Sequence, residues 1–362
     1  MRRFINRFLS IAIVLLIGYI FTKNKIHFSF AGKSQDVCNT MLENYFSKNY
    51  LAGVGEDDED TGNESVETFV FPQEDEGNYF MGEDHFAGEQ TSGVITDNNN
   101  DVSHNLSMIE YLNKTMDYEY LKSNFFLIDS TTSVNKDILN PKKLLGNDVS
   151  IKKDSDVPQI LIYHTHSTEH YIDSRDGVQE DTVVGVGEYL AQLLRDKGYN
   201  VIHDTSTYDV VDGKWNRKAY DTAYTGLEKV LEENPDIQVV IDLHRNAGAK
   251  KEVTEIDGKK TAQIMFFNGV SRTRTGSRSY LSNDNLEMNL SFSLQMLIET
   301  MRSYEDLARH IYVKGYRYNL HLRARSMLVE VGNDKNTVEE AMNAMEPLSA
   351  VIDRVLTGKG DL

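Results

Sequence analysis

Short apolar segments that alternate with helix-like segments constrain the fold of this chain more than any other feature. Residues 159–164, 239–244 and 327–331 are rich in Ile, Leu and Val and carry polar residues, which is typical of buried strands with a site at one end. Further strands are predicted at 125–129, 200–203 and 262–267, and helices at 183–197, 220–233, 285–309 and 337–356. This alternation predicts an α/β fold, a three-layer sandwich with a mixed, largely parallel sheet.

Polar side chains stand at or near the carboxyl ends of three of these strands, where ligands bind in open parallel sheets. They are His164, His166, Glu169, His170, Asp242, His244, Arg245 and Glu330. His166 and Glu169 form a His-x-x-Glu pair, a spacing that lets a nitrogen and an oxygen reach one tetrahedral zinc ion. With His244 as a third ligand, a fourth position stays open for water, as in hydrolytic zinc sites.

Glu330 lies inside an apolar strand, where an acidic side chain is costly unless it is paired or lies at a metal site. We expect it to be the catalytic carboxylate, which takes a proton from water and passes it to a leaving amine. A low-dielectric position raises the pKa of such a group and suits it to this role. The alternative is an ion pair with Arg323 or Arg325, two arginines that are also candidates for binding substrate carboxylates.

Two choices in the ligand set stay open on the sequence alone. His164 and His166 are two residues apart and are expected to share one face of the strand, so either can be the ligand and the other can support it. His166 is favoured because it begins the His-x-x-Glu spacing. Glu169 is favoured as the acidic ligand, and Glu180 is its alternative.

Two neighbours of His244 are given supporting roles. Asp242 lies two residues earlier on the same face and is expected to orient the imidazole of His244. Arg245 is either a clamp for a substrate carboxylate or part of a surface ion pair.

The chain divides into three predicted regions. Residues 1–30 are predicted to be a cytoplasmic stub and an uncleaved membrane anchor, because basic residues precede an uncharged apolar run from Phe8 to Thr22. Residues 31–105 are predicted to be a juxtamembrane segment and disordered linker, with 15 Asp or Glu and no Lys or Arg between positions 51 and 103. Residues 106–362 form the predicted catalytic domain. The linker supplies most of the net charge of −18, and no basic stripe indicates a nucleic-acid partner.

At these motifs the chain resembles the stage II sporulation protein P family of endospore-forming bacteria. The matching segments are Phe126-Leu-Ile-Asp-Ser-Thr-Thr132, Lys142-Lys-Leu-Leu145, Pro158-Gln-Ile-Leu-Ile-Tyr-His-Thr-His-Ser-Thr-Glu169, Val183-Val-Gly-Val-Gly187, Ile241-Asp-Leu-His-Arg245 and Leu328-Val-Glu-Val-Gly-Asn333. The resemblance extends over about residues 120–356 and is most specific at the His-Thr-His-Ser-Thr-Glu block.

The resemblance implies a zinc-dependent N-acetylmuramoyl-L-alanine amidase, which cuts the amide bond between the glycan and the stem peptide of peptidoglycan. It also implies an associated endopeptidase activity and a fold similar to zinc amidases and zinc carboxypeptidases. His166, Glu169 and His244 map onto the ligands of the carboxypeptidases, and Glu330 onto their acid/base.

The resemblance further implies a role in engulfment of the forespore, with the stage II sporulation proteins D and M as partners. The catalytic domain would then act outside the cell membrane, between the mother cell and forespore membranes. The alternatives are a zinc carboxypeptidase or endopeptidase that acts only on stem peptides, and a non-catalytic scaffold that binds the cell wall.

Overall fold

The computed structural model describes residues 116–153, 155–248 and 250–358. The predicted membrane anchor and acidic linker lie outside the described residues, as does the start of the predicted catalytic domain, so these boundaries stay predictions. Within the described ranges, no helix has both the length and the apolar character needed to cross a membrane.

Seven of the described strands form one sheet. The strands along the chain are β1 (Phe126–Ile128), β2 (Ile160–Tyr163), β3 (Val201–His203), β4 (Val210–Val211), β5 (Lys214–Trp215), β6 (Val239–Asn246), β7 (Val253–Ile256), β8 (Lys259–Ala262), β9 (Ile264–Gly269), β10 (Ala308–Lys314) and β11 (Arg325–Asn333). The sheet order is β1-β10-β9-β11-β6-β2-β3, and every neighbouring pair is parallel except β9 and β11. The expected mixed, largely parallel sheet is therefore confirmed.

Helices cover both faces of this sheet. They are α1 (Tyr118–Phe125), α2 (Pro141–Gly146), α3 (Val183–Asp196), α4 (Ala219–Glu233), α5 (Leu286–Ser303) and α6 (Val338–Leu356). On one face α4 packs Leu227 and Leu231 against Leu161 of β2 and Val240 of β6. On the other face α3 and α5 both contact α6, and these helices cover the strands from β3 to β10. Successive strand residues point to opposite faces, which is why the central strands are apolar throughout.

The helix expected at 285–309 is shorter than predicted. Helix α5 ends at Ser303, where the amide of Tyr304 closes the last turn on the carbonyl of Thr300 at 2.7 Å, and β10 begins at Ala308. The four residues between them contain neither Gly nor Pro, so no local signal marks the break. Residues 311–313 of β10 pair with both β1 and β9, and this central place in the sheet overrides the helical pattern.

Two short hairpins lie outside the large sheet and were not predicted. β4 pairs with β5 and β7 with β8, each antiparallel. Both hairpins turn on an Asp-Gly dipeptide with positive φ, 50° and 71° at Asp212 and Gly213, and 50° and 75° at Asp257 and Gly258. Asp-Gly between two strand-like pairs is a strong hairpin signal, because glycine adopts this left-handed backbone without strain.

Candidate active site

The strands β2, β6 and β11 are neighbours in the sheet and bring the predicted site residues to one edge. Tyr163, the last residue of β2, lies opposite Asp242 of β6, and Glu330 of β11 lies opposite His244 of β6. All three strands run in the same direction, so their carboxyl ends meet at this edge. The carboxyl ends of these three strands therefore lie next to one another, as expected from the sequence.

The loop after β2 is fixed by the small polar residues of the His-Thr-His-Ser-Thr-Glu motif. Thr165 donates to the buried Asp242 carboxylate from its backbone nitrogen at 2.9 Å and from its hydroxyl at 2.7 Å. Ser167 donates its hydroxyl to Asp209 at 3.0 Å, and the Thr168 amide donates to the same carboxylate at 3.1 Å. These bonds hold the backbone on both sides of His166.

Glu169 and His244 meet at the spacing of two ligands of one metal ion. The Glu169 Oε2 atom lies 3.4 Å from His244 Nδ1, and it also accepts a hydrogen bond of 2.9 Å from the Arg245 amide. Two atoms bound at about 2.0–2.1 Å to one tetrahedral zinc ion are about 3.3–3.4 Å apart. Burial raises the pKa of Glu169, but His244, Arg245 and His166 together bring it to about 2, so this carboxyl is ionised at neutral pH.

Asp242 lies on the other side of the His244 ring. Its Oδ1 atom is 2.8 Å from His244 Nε2, a close ion pair whose N–H is not aligned for a regular hydrogen bond. Burial lowers the pKa of His244, but Asp242 and then Glu169 together raise it well above its ordinary value. A carboxylate behind a histidine is the usual arrangement that fixes the ring of a metal ligand and leaves its other nitrogen facing the metal.

His166 adjoins this pair with a nitrogen that makes no hydrogen bond. Its ring is 5.4 Å from the His244 ring, stacks on Trp215 at 5.5 Å with an interplanar angle of 11°, and meets the Tyr220 ring edge-on at 5.7 Å. The Nδ1 atom is buried and has no partner among the described residues. Burial lowers the pKa of His166, which favours the neutral imidazole that a metal requires.

Glu330 is buried beside His244 and is 2% exposed. Its Oε2 atom has no hydrogen-bond partner in the described ranges. Burial raises the pKa of this carboxyl to about 8, against the opposing effect of His244. A carboxyl with a pKa near the working pH is able both to accept and to donate a proton. The alternative of an ion pair with Arg323 or Arg325 does not occur.

Two of the three predicted zinc ligands, Glu169 and His244, have the spacing of ligands to one ion, and the third does not converge with them. Among the residues that the structure describes, no three His, Cys, Asp or Glu side chains converge closely enough to hold a metal ion. Glu169 and His244 already have ligand spacing, and the third donor, His166, adjoins them with an unpartnered nitrogen. His166, Glu169 and His244 are therefore the residues that would hold a zinc ion here, and they would supply two nitrogen donors and one oxygen donor.

His164 does not share a face with His166, contrary to the expectation. Strand β2 ends at Tyr163, so the two-residue alternation no longer applies beyond that point. His164 instead lies under helix α3, where its Nδ1 is 2.8 Å from the Leu243 carbonyl and its Nε2 is 2.9 Å from His203 Nε2. The other nitrogen of His203 is 2.8 Å from Glu188 Oε2. His164 therefore belongs to a polar network behind the site.

Two other predicted residues, Glu180 and Arg245, do not offer a side chain to the Glu169–His244 pair. Glu180 is exposed in a 3₁₀ turn at residues 179–181. The Arg245 guanidinium donates to the carbonyl of His170 at 3.0 Å and to that of Asn246 at 3.2 Å. Arg245 therefore supports the motif loop through its guanidinium as well as through its amide.

Arg323 and Arg325 are not placed to bind a substrate at this edge, which corrects their predicted role. Arg325 lies opposite Val239 at the start of β11, five residues before Glu330, or about 17 Å along an extended strand. Its side chain donates to the carbonyls of residues 149 and 150 at 2.7 and 2.9 Å. Arg323 donates to the carbonyl of Ile237 at 2.8 Å. Both arginines tie loops together at the opposite edge of the sheet.

The sequence reasoning missed several residues that complete the site. Trp215 and Tyr220 contact His166, Asp209 anchors the motif loop, and Glu188 and His203 extend the network of His164. The Asp-Gly turn before Trp215 was a usable signal for a hairpin. No feature of the sequence near Trp215, however, indicates that this hairpin lies beside His166.

Comparison with solved structures finds N-acetylmuramoyl-L-alanine amidases among the similar folds. The CwlD amidase of Clostridioides difficile, solved in complex with the GerS lipoprotein, is 14% identical with a TM-score of 0.35, over 55% of this chain and 98% of that chain. The amidase AmiC2 of Nostoc punctiforme is 12% identical with a TM-score of 0.32, over 54% of this chain and 94% of that chain.

Comparison with protein families and curated proteins gives one consistent family. Residues 122–353 match the sequence model of the stage II sporulation protein P family. The stage II sporulation protein P of Bacillus subtilis (strain 168) is 27% identical over an alignment of 216 residues, and the match covers 54% of this chain and 50% of that protein. The match thus spans about half the length of this curated relative. Because the family model covers most of the chain, the chain belongs to the stage II sporulation protein P family.

Proposed function

We propose that this protein is a zinc-dependent N-acetylmuramoyl-L-alanine amidase, which hydrolyses the amide between the glycan and the stem peptide of peptidoglycan. One observation carries the proposal. Glu169 and His244 stand at ligand spacing, 3.4 Å apart, and the buried Glu330, whose Oε2 has no hydrogen-bond partner, lies opposite His244 in the sheet. The proposal is consistent with membership of a sporulation family. His166, Glu169 and His244 would hold the zinc ion. Glu330 would accept a proton from water and donate it to the leaving amine.

Zinc, when bound at such a site, supplies a Lewis acid that lowers the pKa of water toward neutrality. Glu330 accepts one proton as the water oxygen forms its bond to the amide carbon. It then donates that proton to the nitrogen of the alanine as the C–N bond breaks, which returns it to the ionised form that starts the cycle. With a pKa of about 8, this form is the smaller fraction of the free protein at neutral pH. Asp242 holds the His244 ring in place throughout, and the bonds of Thr165, Ser167 and Thr168 keep His166 and Glu169 in position.

Digestion of purified peptidoglycan by the full chain tests this proposal. We expect new free L-alanine amines and unsubstituted lactyl groups by mass spectrometry, and loss of both after treatment with a chelator. Glu330→Gln should reduce the rate by about 10²–10⁴-fold while zinc stays bound. Cleavage only within stem peptides would show a carboxypeptidase or endopeptidase instead. Unchanged digestion after chelation or in Glu330→Gln would refute the mechanism.

We propose that the protein acts at the engulfing membrane during sporulation, anchored through residues 1–30 with its catalytic domain outside the cell membrane. Family membership supports the sporulation context, and the anchor rests on the sequence alone. The stage II sporulation proteins D and M are the proposed partners. Co-purification of the full chain with either protein from sporulating cells would support this, and its absence in both cases would count against it.

A further inference from the structure

Trp215 is a half-exposed aromatic residue that stacks on His166 at the candidate site. It ends the β4–β5 hairpin, whose turn at Asp212 and Gly213 has positive φ at both residues, and its side chain is 48% exposed. A large aromatic side chain that remains half in water forgoes much of the stabilisation that its burial would provide. Single exposed apolar residues are ordinary on a protein surface, but this ring stacks on the candidate ligand His166, so its free face adjoins the candidate site.

The hairpin that carries Trp215 is tied to the His-Thr-His-Ser-Thr-Glu motif through Asp209. The carboxylate of Asp209 is fully buried and accepts the bonds from Ser167 and Thr168. Its carbonyl accepts from the amide of Asn216 at 2.8 Å, directly after Trp215. The Asn216 side chain adds a bond of 2.8 Å to the carbonyl of Tyr208 and one of 2.7 Å to the hydroxyl of Thr222. The indole is thereby placed in advance of any ligand.

The two faces of the indole have different surroundings. One face lies on the imidazole of His166, with ring centroids 5.5 Å apart and planes inclined by 11°. The exposed part of the side chain therefore lies on the opposite face and the ring edges. A ligand seated there would lie one aromatic ring away from His166, which places it next to the bond that the proposed reaction breaks.

The charges near His166 favour an uncharged occupant of this face. Two carboxylates adjoin the motif around His166: Asp209 accepts bonds from Ser167 and Thr168, and Glu169 follows three residues after His166 and lies 3.4 Å from His244. The stem peptide of peptidoglycan carries carboxylates, whereas its sugar rings are uncharged at their faces. A pyranose presents a face of C–H bonds that packs on an aromatic ring, and its hydroxyls stay at the rim where they keep their water. Of the two parts of the substrate that the scissile amide joins, the saccharide is therefore the better partner for the exposed face of Trp215.

We infer that Trp215 is a specificity-determining residue whose exposed face binds a sugar ring of the glycan strand beside the scissile bond. This inference rests on the proposed amidase function. It makes Trp215 a contact for substrate rather than a support for the metal. The glycan would then be held by the β4–β5 hairpin, and the stem peptide would leave the site on the side away from it.

The chain contains one tryptophan, so its fluorescence reports on this residue alone. The wild-type full chain is titrated with a β-1,4-linked N-acetylglucosamine tetramer, which has no stem peptide, and separately with the peptide L-alanyl-γ-D-glutamyl-L-lysine. We expect a saturable change in emission with the saccharide and none with the peptide. Tyr280→Ala, which removes an exposed ring elsewhere, should give the same titration. No response to the saccharide, or a response to the peptide instead, would overturn the inference.

Kinetics on peptidoglycan separate substrate contact from support of His166. Trp215→Ala should raise KM about 10-fold with kcat changed less than about 2-fold, because aromatic contacts contribute about this much to binding. Trp215→Phe should restore most of the loss, and zinc content should be unchanged in both variants. A fall in kcat together with zinc loss would show a supporting role and contradict the inference.

If the wild type cleaves nothing, the proposed function fails while the fluorescence titration still tests the saccharide site.

Discussion

The side chain of His244 is enclosed by two carboxylates with different tasks. Glu169 faces its Nδ1 at 3.4 Å and Asp242 faces its Nε2 at 2.8 Å. The His244 ring therefore links the proposed metal ligand Glu169 on one side to the buried Asp242 of β6 on the other. Asp242 is therefore expected to affect the metal without touching it.

Asp242→Asn should weaken zinc binding by about 10–100-fold, because the amide no longer fixes the ring or favours its ligating form. Competition with a chromophoric chelator measures this affinity. Asp196→Asn is a matched control, since Asp196 is an exposed aspartate whose carboxylate accepts a bond of 2.8 Å from Gln192 on the surface of α3. Equal affinities in Asp242→Asn and the wild type would show that Asp242 does not support His244.

His321 is expected to account for part of the stability that the fold loses at acid pH. Burial, followed by the nearby Arg317, lowers the pKa of His321 from 6.5 to about 4, and its ring stacks on Tyr224 at 5.5 Å. The folded protein keeps this ring neutral, so its stabilising contribution is complete above pH 6.5 and is lost as the pH falls toward 4.

His321→Gln should therefore lose less stability than the wild type between pH 7 and pH 5, by about 1 kcal/mol once the partial exposure of the ring is allowed for. Urea unfolding at the two pH values gives the difference directly. An equal loss in both proteins would mean that His321 titrates alike in the folded and unfolded chains.

At the residue scale, the sequence pointed to the acids and histidines that the fold brings to the candidate site, but not to all of the residues around them. Four of them were recognisable because polar side chains at the ends of buried apolar strands are costly unless they serve a site. They are His166, Glu169, His244 and Glu330. The place of His164 was not, because the expectation extended the strand alternation past Tyr163, where the chain turns. The arginines 323 and 325 were misplaced because the carbonyls they bind belong to loops distant in sequence.

At the scale of elements, helix α3 shows how closely the layers fit around the network of His164. A Cβ atom at Gly187 would lie 2.6 Å from His164 Nε2 and 3.0 Å from His203 Nε2. The absence of a side chain thus lets the helix pass directly over the two imidazoles. Because both rings are held by hydrogen bonds, they have little room to move aside.

Gly187→Ala should destabilise the fold by about 1–3 kcal/mol, as expected when a side chain is forced into a packed interior. Gly146→Ala is the control, because a Cβ atom there meets nothing within 4 Å. Chemical unfolding of both variants measures the two free energies. If Gly187→Ala were as stable as Gly146→Ala, helix α3 would be less tightly packed on His164 than described.

The elements differ in how far their sequences determine them. Strands β2, β6 and β11 were predictable because each is a nearly continuous apolar run, which only a buried strand requires. Strand β10 was not, because its pairing with β1 and β9 comes from distant parts of the chain. The β4–β5 and β7–β8 hairpins were predictable in principle from their Asp-Gly turns.

At the scale of the whole molecule, the one antiparallel pair within the seven-stranded sheet, β9 and β11, determines where a site can form. Because β9 runs against β11, the carboxyl ends of β2, β6 and β11 lie at one edge and those of β1, β9 and β10 at the other. The rule that ligands bind beyond the carboxyl ends of parallel strands therefore applies to each half separately. The candidate zinc ligands and Glu330 all belong to the half formed by β2, β6 and β11.

The central claim is that three strand ends form one zinc site in which His166, rather than His164, is a ligand. The most direct test is the zinc content of the purified full chain and its variants, measured by mass spectrometry of the metal. We predict one zinc ion per chain in the wild type, in Glu330→Gln, in His164→Ala and in Glu180→Ala, and loss of zinc in His166→Ala, Glu169→Ala and His244→Ala. Zinc retained in His166→Ala but lost in His164→Ala or Glu180→Ala, or a wild type that binds none, would contradict it.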